Sequence, residues 1–152
     1  DAGTSAAHMI EYLAQKRITI VTYNELVVKK LTKPIPADIY MVGGKYVPGF
    51  SMFAGTVAQE WLGQYHFDHA FLGCTSVEVG DRMAYATDAD SLAMKRIAMK
   101  NAAKSYLLID STKLSRRSFL SFASTDDFEL VICDCDPQNA GREIPKNFKF
   151  IG

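Results

Sequence analysis

Asp1-Ala2-Gly3-Thr4-Ser5 sets an acid, a glycine and two hydroxyls directly ahead of an apolar helical pattern. The first turn of a helix leaves N–H groups without partners, and the helix dipole adds positive potential there. Such an opening is either a turn with a hydroxyl cap, from Thr4 or Ser5, or a cradle for an anion. Two lysines could supply the countercharge. Lys95 falls in the apolar arc of "SLAMKRIAMKNAAK", residues 91–104, where an ammonium must snorkel out, pair with an acid or meet a ligand. Lys113 stands three residues beyond the strand expected at Tyr106–Asp110. Its plainer reading is a surface lysine.

These residues need elements to position them. Ala6, Met9, Ile10 and Leu13 recur at helical spacing. Ile18–Thr22 reads as a β-branched strand, and Asn24 caps a short helix that ends before Lys33-Pro34-Ile35-Pro36. Further strands are expected at Ile39–Val42, His69–Cys74, Tyr106–Ile109, Leu130–Cys133 and Phe148–Ile151. Helices are expected at Thr56–Leu62 and over 91–104, a turn at Val47–Phe50, a loop or hairpin over 75–87 and a loop over 134–147. On the 91–104 helix, Arg96, Lys100 and Lys104 share a solvent flank. Continuous apolar strands alternating with helices imply an α/β domain, a mostly parallel sheet with helices on both faces.

Ligands of such sheets bind beyond the carboxyl ends of the strands. The residues there are Asp1–Ser5, Thr22-Tyr23-Asn24, Gly43-Gly44, Gly73–Ser76, Asp110–Lys113 and Asp134. Small and hydroxylic types dominate, as a hydrogen-bonded ligand requires and as ordinary turns also do.

The bulk numbers narrow the function. The chain has 152 residues, and its 17 basic side chains equal its 17 acidic ones. That balance gives no general attraction to nucleic acid or an anionic membrane, so an anion site must be local. No apolar run reaches membrane-spanning length and no signal peptide is evident, which suggests a cytoplasmic protein. Cys74, Cys133 and Cys135 suit a reducing compartment and read as buried hydrophobes. His66, Asp68 and His69 could begin a metal site but have no distant fourth ligand, and neither metal nor cofactor is expected. Phe50, Phe53 and Trp61 hint at a partner surface. The start at Asp1, a turn with no strand ahead of it, suggests a fragment of a longer chain.

In order and spacing, the chain resembles the C-terminal sensor domain of DeoR-type transcriptional repressors. The resemblance runs through Asp1–Ser5, Val21-Thr22, Gly43-Gly44, Phe53-Ala54-Gly55, Asp68–Gly73, Lys95-Arg96 and Asp110–Lys113. It implies a Rossmann-like fold shared with ribose-5-phosphate isomerase and CoA-transferases, residues 1–152 being the sensor of a phosphorylated sugar or polyol. It also implies an N-terminal winged helix-turn-helix, absent from this chain, that binds DNA, and self-association to match two-fold operators. The expected ligand set is Asp1, Gly3, Thr4, Ser5, Asn24, Gly43, Gly44, Gly73, Lys95, Asp110 and Lys113. The phosphate would sit at Gly3–Ser5 with Lys95 or Lys113, and the sugar hydroxyls at Asp1, Asn24, Asp110 and the Gly43-Gly44 backbone. The sequence departs from the family pattern where Tyr23 intervenes before Asn24, where Asp90 and Ser91 replace first-turn glutamates, and at Leu114 in place of an aromatic.

A sugar-phosphate isomerase is the alternative. Proton transfer between adjacent carbons needs a positioned carboxylate base. In the segment Gly73-Cys74-Thr75-Ser76-Val77-Glu78 only Glu78 could serve, and it reads as a loop residue.

Overall fold

The computed structural model describes residues 1–134 and 144–151. The first helix, α1, spans Thr4–Leu13 and buries Ala7 and Ile10. Strand β1 (Thr19–Thr22) leads to Asn24, which caps α2 (Glu25–Lys30) by accepting a hydrogen bond from the Leu26 amide at 3.0 Å. Strand β2 (Asp38–Met41) pairs with β1 in parallel. A small antiparallel hairpin follows, β3 (Lys45–Val47) and β4 (Met52–Ala54), joined by a 3-10 turn at Pro48–Phe50. Then come α3 (Thr56–Leu62) and β5 (Phe67–Gly73).

Strands β6 (Ser76–Glu78) and β7 (Met83–Ala86) form an antiparallel hairpin, extended by β9 (Leu120–Ser124). Helix α4 covers Ala89–Lys100. Strand β8 (Ala102–Ile109) stands centrally in a four-stranded parallel sheet with order β11-β10-β8-β5, where β10 is Leu130–Cys133 and β11 Phe148–Phe150.

Three features depart from the sequence-based expectation. First, α4 stops at Lys100, four residues early, with Asn101 as its C-cap. The Asn101 side chain donates to the Gly63 and Tyr65 carbonyls at 3.1 and 3.0 Å. Beyond it, Ala102 pairs with Phe67, so sheet pairing overrides the helical preference of Ala102-Ala103. Lys104 therefore lies on β8, paired with Glu129 at 3.0 Å, rather than on the helix flank. Arg96, expected to meet only solvent, donates to the Ser121 carbonyl at 2.8 Å and ties α4 to β9.

Second, the strands form several sheets, two of them antiparallel. The β6–β7 hairpin lies in the segment over 75–87 expected as a loop or hairpin, while β3 and β4, at three residues each, are too short for a period-two pattern to stand out.

Third, the four-stranded sheet is unevenly covered. Ala70, Leu72, Leu107, Ile109, Val131 and Cys133 point into the main core with Met94 and Ala98 of α4. On the opposite face, Phe71 stacks on Tyr106 with centroids 5.0 Å apart, and both stay half-buried among the described residues. Cys74 and Cys133 are buried, whereas Cys135 and most of the 134–147 segment lie outside the described residues.

Candidate functional site

The loop from Asp1 to Gly3 is held from several sides. The Asp1 carboxylate is fully buried. One oxygen accepts from the Ala2 amide at 2.7 Å and the Tyr23 hydroxyl at 2.5 Å. The other accepts from the Gly73 amide at 2.5 Å, at the end of β5, and from the Lys95 ammonium at 2.5 Å. The Asn24 side-chain amide donates to the carbonyls of Gly3 at 2.9 Å and Asp1 at 3.2 Å. Residues from the β1–α2 turn, from β5 and from α4 thus fix one loop. Burial pushes the Tyr23 hydroxyl well above its ordinary value, which keeps it a proton donor to Asp1.

Gly3 is the N-cap of α1, with φ 112°, a conformation glycine adopts without strain. No side chain caps this helix. The expectation of a Thr4 or Ser5 cap is therefore corrected, because the helix begins at Thr4 and both residues lie inside its first turn. Their hydroxyls, and the amides ahead of the first intrahelical bond from Ala7 to Gly3, are left for another partner.

These groups open on a pocket of about 190 Å³. Gly3, Thr4, Ser5, Gly73, Lys95 and Lys113 line it, so six of the eleven expected ligand residues converge. Phe50, Cys74, Thr75, Thr87, Asp88 and Ser91 also line it. Thr87, Asp88 and Ser91 bring the start of α4 to the same place, where the Asp88 side chain accepts from the Ser91 amide at 2.7 Å. The signal for them was Asp88-x-x-Ser91 ahead of the apolar arc, a helix start whose position on the rim becomes visible only when the sheet is assembled.

The other five expected residues sit elsewhere. Asp1 and Asn24 turn their side chains into the protein, where each is held by the partners named above. Gly43 and Gly44 lie outside this wall. At Gly44 (φ 149°), a Cβ would come within 2.7 Å of the Ala54 carbonyl oxygen, so its lack of a side chain serves packing. Asp110 caps the 3-10 turn at Ser111–Lys113 and faces Lys113 at 3.6 Å. Thr112 is the chief reason its carboxyl stays below the ordinary range, and Lys113 adds to it. Glu78 also lies outside the pocket wall.

Lys95 is 5% exposed, and burial pushes its ammonium down to about 8. The charge of Lys113 acts in the same direction, while a Cys74 thiolate would oppose it. The Asp1 carboxylate in contact works the other way and keeps the ammonium charged at neutral pH. Burial raises the Cys74 thiol to about 11, so it lines the pocket as a neutral group. Two ammonium groups, two helix starts and several hydroxyls therefore face one small volume. The arrangement suits an anionic oxygen-rich group.

Among the described residues, no cluster of three or more His, Cys, Asp or Glu side chains could hold a metal ion. Among them too, no helix is long and apolar enough to cross a membrane.

The chain is similar to several transcriptional regulators. The chain is 24% identical to the transcriptional repressor AccR of Agrobacterium fabrum, over 99% of this chain and 60% of that protein. It is 30% identical to the HTH-type transcriptional regulator FruR of Bacillus subtilis, over 90% of this chain and 54% of that one. With the lactose phosphotransferase system repressor of Staphylococcus aureus (strain NCTC 8325) it shares 27% identity, over 98% and 59%. The chain thus spans 54–60% of the length of these three relatives. The family model of the DeoR C-terminal sensor domain matches residues 1–135, and the chain belongs to that family.

Proposed function

We propose that this domain is the effector-binding part of a transcriptional repressor, and that its pocket takes the phosphate of a phosphorylated sugar or polyol. The observation that carries the reading is the convergence of Lys95, Lys113, Thr4, Ser5 and the uncapped start of α1 on about 190 Å³. A dianionic phosphate offers three acceptor oxygens to those donors. Gly3 lets it approach the backbone. One relative is named for the lactose phosphotransferase system, which favours a sugar over other phosphate carriers.

On this reading the domain senses rather than catalyses. Asp1 serves as a structural anchor, and no carboxylate stands free on the pocket wall as a base. Asp88 is the only acid there among the described residues, and it caps α4. DNA contact belongs to a winged helix-turn-helix ahead of this domain, the full protein works in the cytoplasm, and it binds operators as a homo-oligomer. The fold is read as Rossmann-like, of the ribose-5-phosphate isomerase type.

A thermal-shift panel of sugar phosphates against their unphosphorylated counterparts tests the proposal. At about 100 times its dissociation constant, a ligand adds about 2.7 kcal/mol of stability. The phosphorylated member should stabilise the domain and its counterpart should not, and Lys113→Ala should weaken the effect without loss of fold. Equal stabilisation by both members contradicts a phosphate site.

A further inference from the structure

A phosphate at the start of α1 uses the lysines and hydroxyls of the pocket and leaves Phe50 without a task. The other residues lining the pocket are small, hydroxylic or charged, and Phe50 is the only aromatic among them. Its ring is 43% exposed and belongs to neither apolar cluster, so the core does not use it. A singly exposed apolar side chain is ordinary on a surface. What sets Phe50 apart is its place on a polar pocket and the backbone that holds it there.

Phe50 ends the 3-10 turn between β3 and β4, which begins at Pro48, where the proline ring fixes φ. Ser51 follows with φ 47°, a left-handed conformation uncommon for any residue but glycine. Its amide donates back to the Pro48 carbonyl at 3.2 Å, and its carbonyl accepts from the Glu25 amide at 2.8 Å. The Phe53 amide donates to the Tyr23 carbonyl at 2.9 Å. Tyr46 packs against Phe53, centroids 5.4 Å apart, and its hydroxyl donates to the Glu25 carboxylate at 2.5 Å. The hairpin is thus tied to Tyr23-Asn24-Glu25, the same segment that braces Asp1 and Gly3. The Phe50 backbone is therefore fixed relative to the Gly3–Ser5 cradle before any ligand arrives.

We propose that Phe50 is a specificity-determining residue of the pocket, a platform for the carbon-bound hydrogens on one face of a ring-closed sugar. The proposal rests on the phosphate reading given above and narrows it, from a phosphorylated sugar or polyol to a cyclic sugar phosphate. The face of an aromatic ring carries negative charge density and attracts polarised hydrogens. A sugar ring presents such hydrogens together on one flat face, which also gains from leaving water. An open-chain polyol phosphate has the same hydroxyls but no fixed face, and it loses more internal rotation on binding. The cradle alone holds both kinds of ligand equally, so the ring supplies the discrimination.

The test is calorimetry with inorganic phosphate and with matched pairs of an aldose phosphate and its borohydride-reduced alditol phosphate. The pairs are ribose 5-phosphate with ribitol 5-phosphate, and glucose, galactose and mannose 6-phosphates with their alditols. In at least one pair the cyclic member should bind about tenfold more tightly, the scale of one aromatic contact. Phe50→Ala should remove that difference while leaving the affinity for inorganic phosphate unchanged. Phe50→Tyr should keep the preference, and Phe50→Leu, apolar but without a π face, should lose it. Equal binding within every pair overturns the proposal and leaves the phosphate reading standing. So does a Phe50→Ala variant that weakens inorganic phosphate by the same factor, since the ring then only shapes the cradle. A preference kept in Phe50→Leu also overturns it. Absence of binding by inorganic phosphate and by every phosphorylated compound overturns both readings together.

Discussion

Asp1 and Lys95 form a buried ion pair whose two members have different duties. The carboxylate is saturated by protein donors, while the ammonium also borders the pocket. Removing one partner of such a pair leaves a charge uncompensated, at a cost of about 3–5 kcal/mol. Lys95→Met should lose stability of that order in urea denaturation, and Asp1→Asn combined with Lys95→Met should recover part of it. Additive losses in the double variant would mean that the two do not interact. The pH dependence of binding follows from the lowered ammonium value. A phosphate monoester is fully dianionic above about pH 7, and Lys95 of the free protein loses its proton around 8. Phosphate-dependent affinity should therefore decline as pH rises past 8, measured by calorimetry. Stability linked to Lys95 has the opposite sign. Its folded value lies below the unfolded one of 10.5, so the unfolded chain holds more protons between about 8 and 10.5, and this contribution rises with pH there.

Among the elements, the α1 start depends on what holds its loop. Asn24 caps α2 and braces the Asp1 and Gly3 carbonyls, all from a side chain with no exposure. Asn24→Ala should cost about 2 kcal/mol or more, the upper range for a lost cap, since three hydrogen bonds go at once. It should also weaken effector binding, because Gly3 is no longer held. Thermal denaturation and calorimetry together check both effects, and an unchanged melting temperature would contradict the bracing role. Gly44→Ala is expected to destabilise without touching the pocket, since its Cβ meets the Ala54 backbone.

Much of this scaffold was legible in the sequence. The apolar runs of β5 and β10, the Asn24 cap and the odd position of Lys95 all carry local signals. The Lys95 partner was not legible, because Asp1 is 94 positions away and only the sheet brings them together. The early end of α4 was hidden by two alanines that suit a helix but pair in a strand. The inward turn of Asp1 was missed for a related reason. An acid two residues before a glycine looks available for ligand until Tyr23, the residue that seemed an interruption, is seen to hold it.

For the whole molecule, the central proposal is that one corner of an electrically balanced domain gathers enough hydrogen-bond donors to select phosphate. The start of α1, the start of α4 and the two lysines meet there, although the chain carries no net charge. The most direct measurement is a backbone amide NMR titration with a sugar phosphate and, separately, with the same sugar unphosphorylated. The account predicts phosphate-specific shifts concentrated at Thr4–Ala6, the Gly73–Thr75 segment and the first turn of α4. Shifts centred elsewhere, or the same shifts from the uncharged sugar, would contradict it.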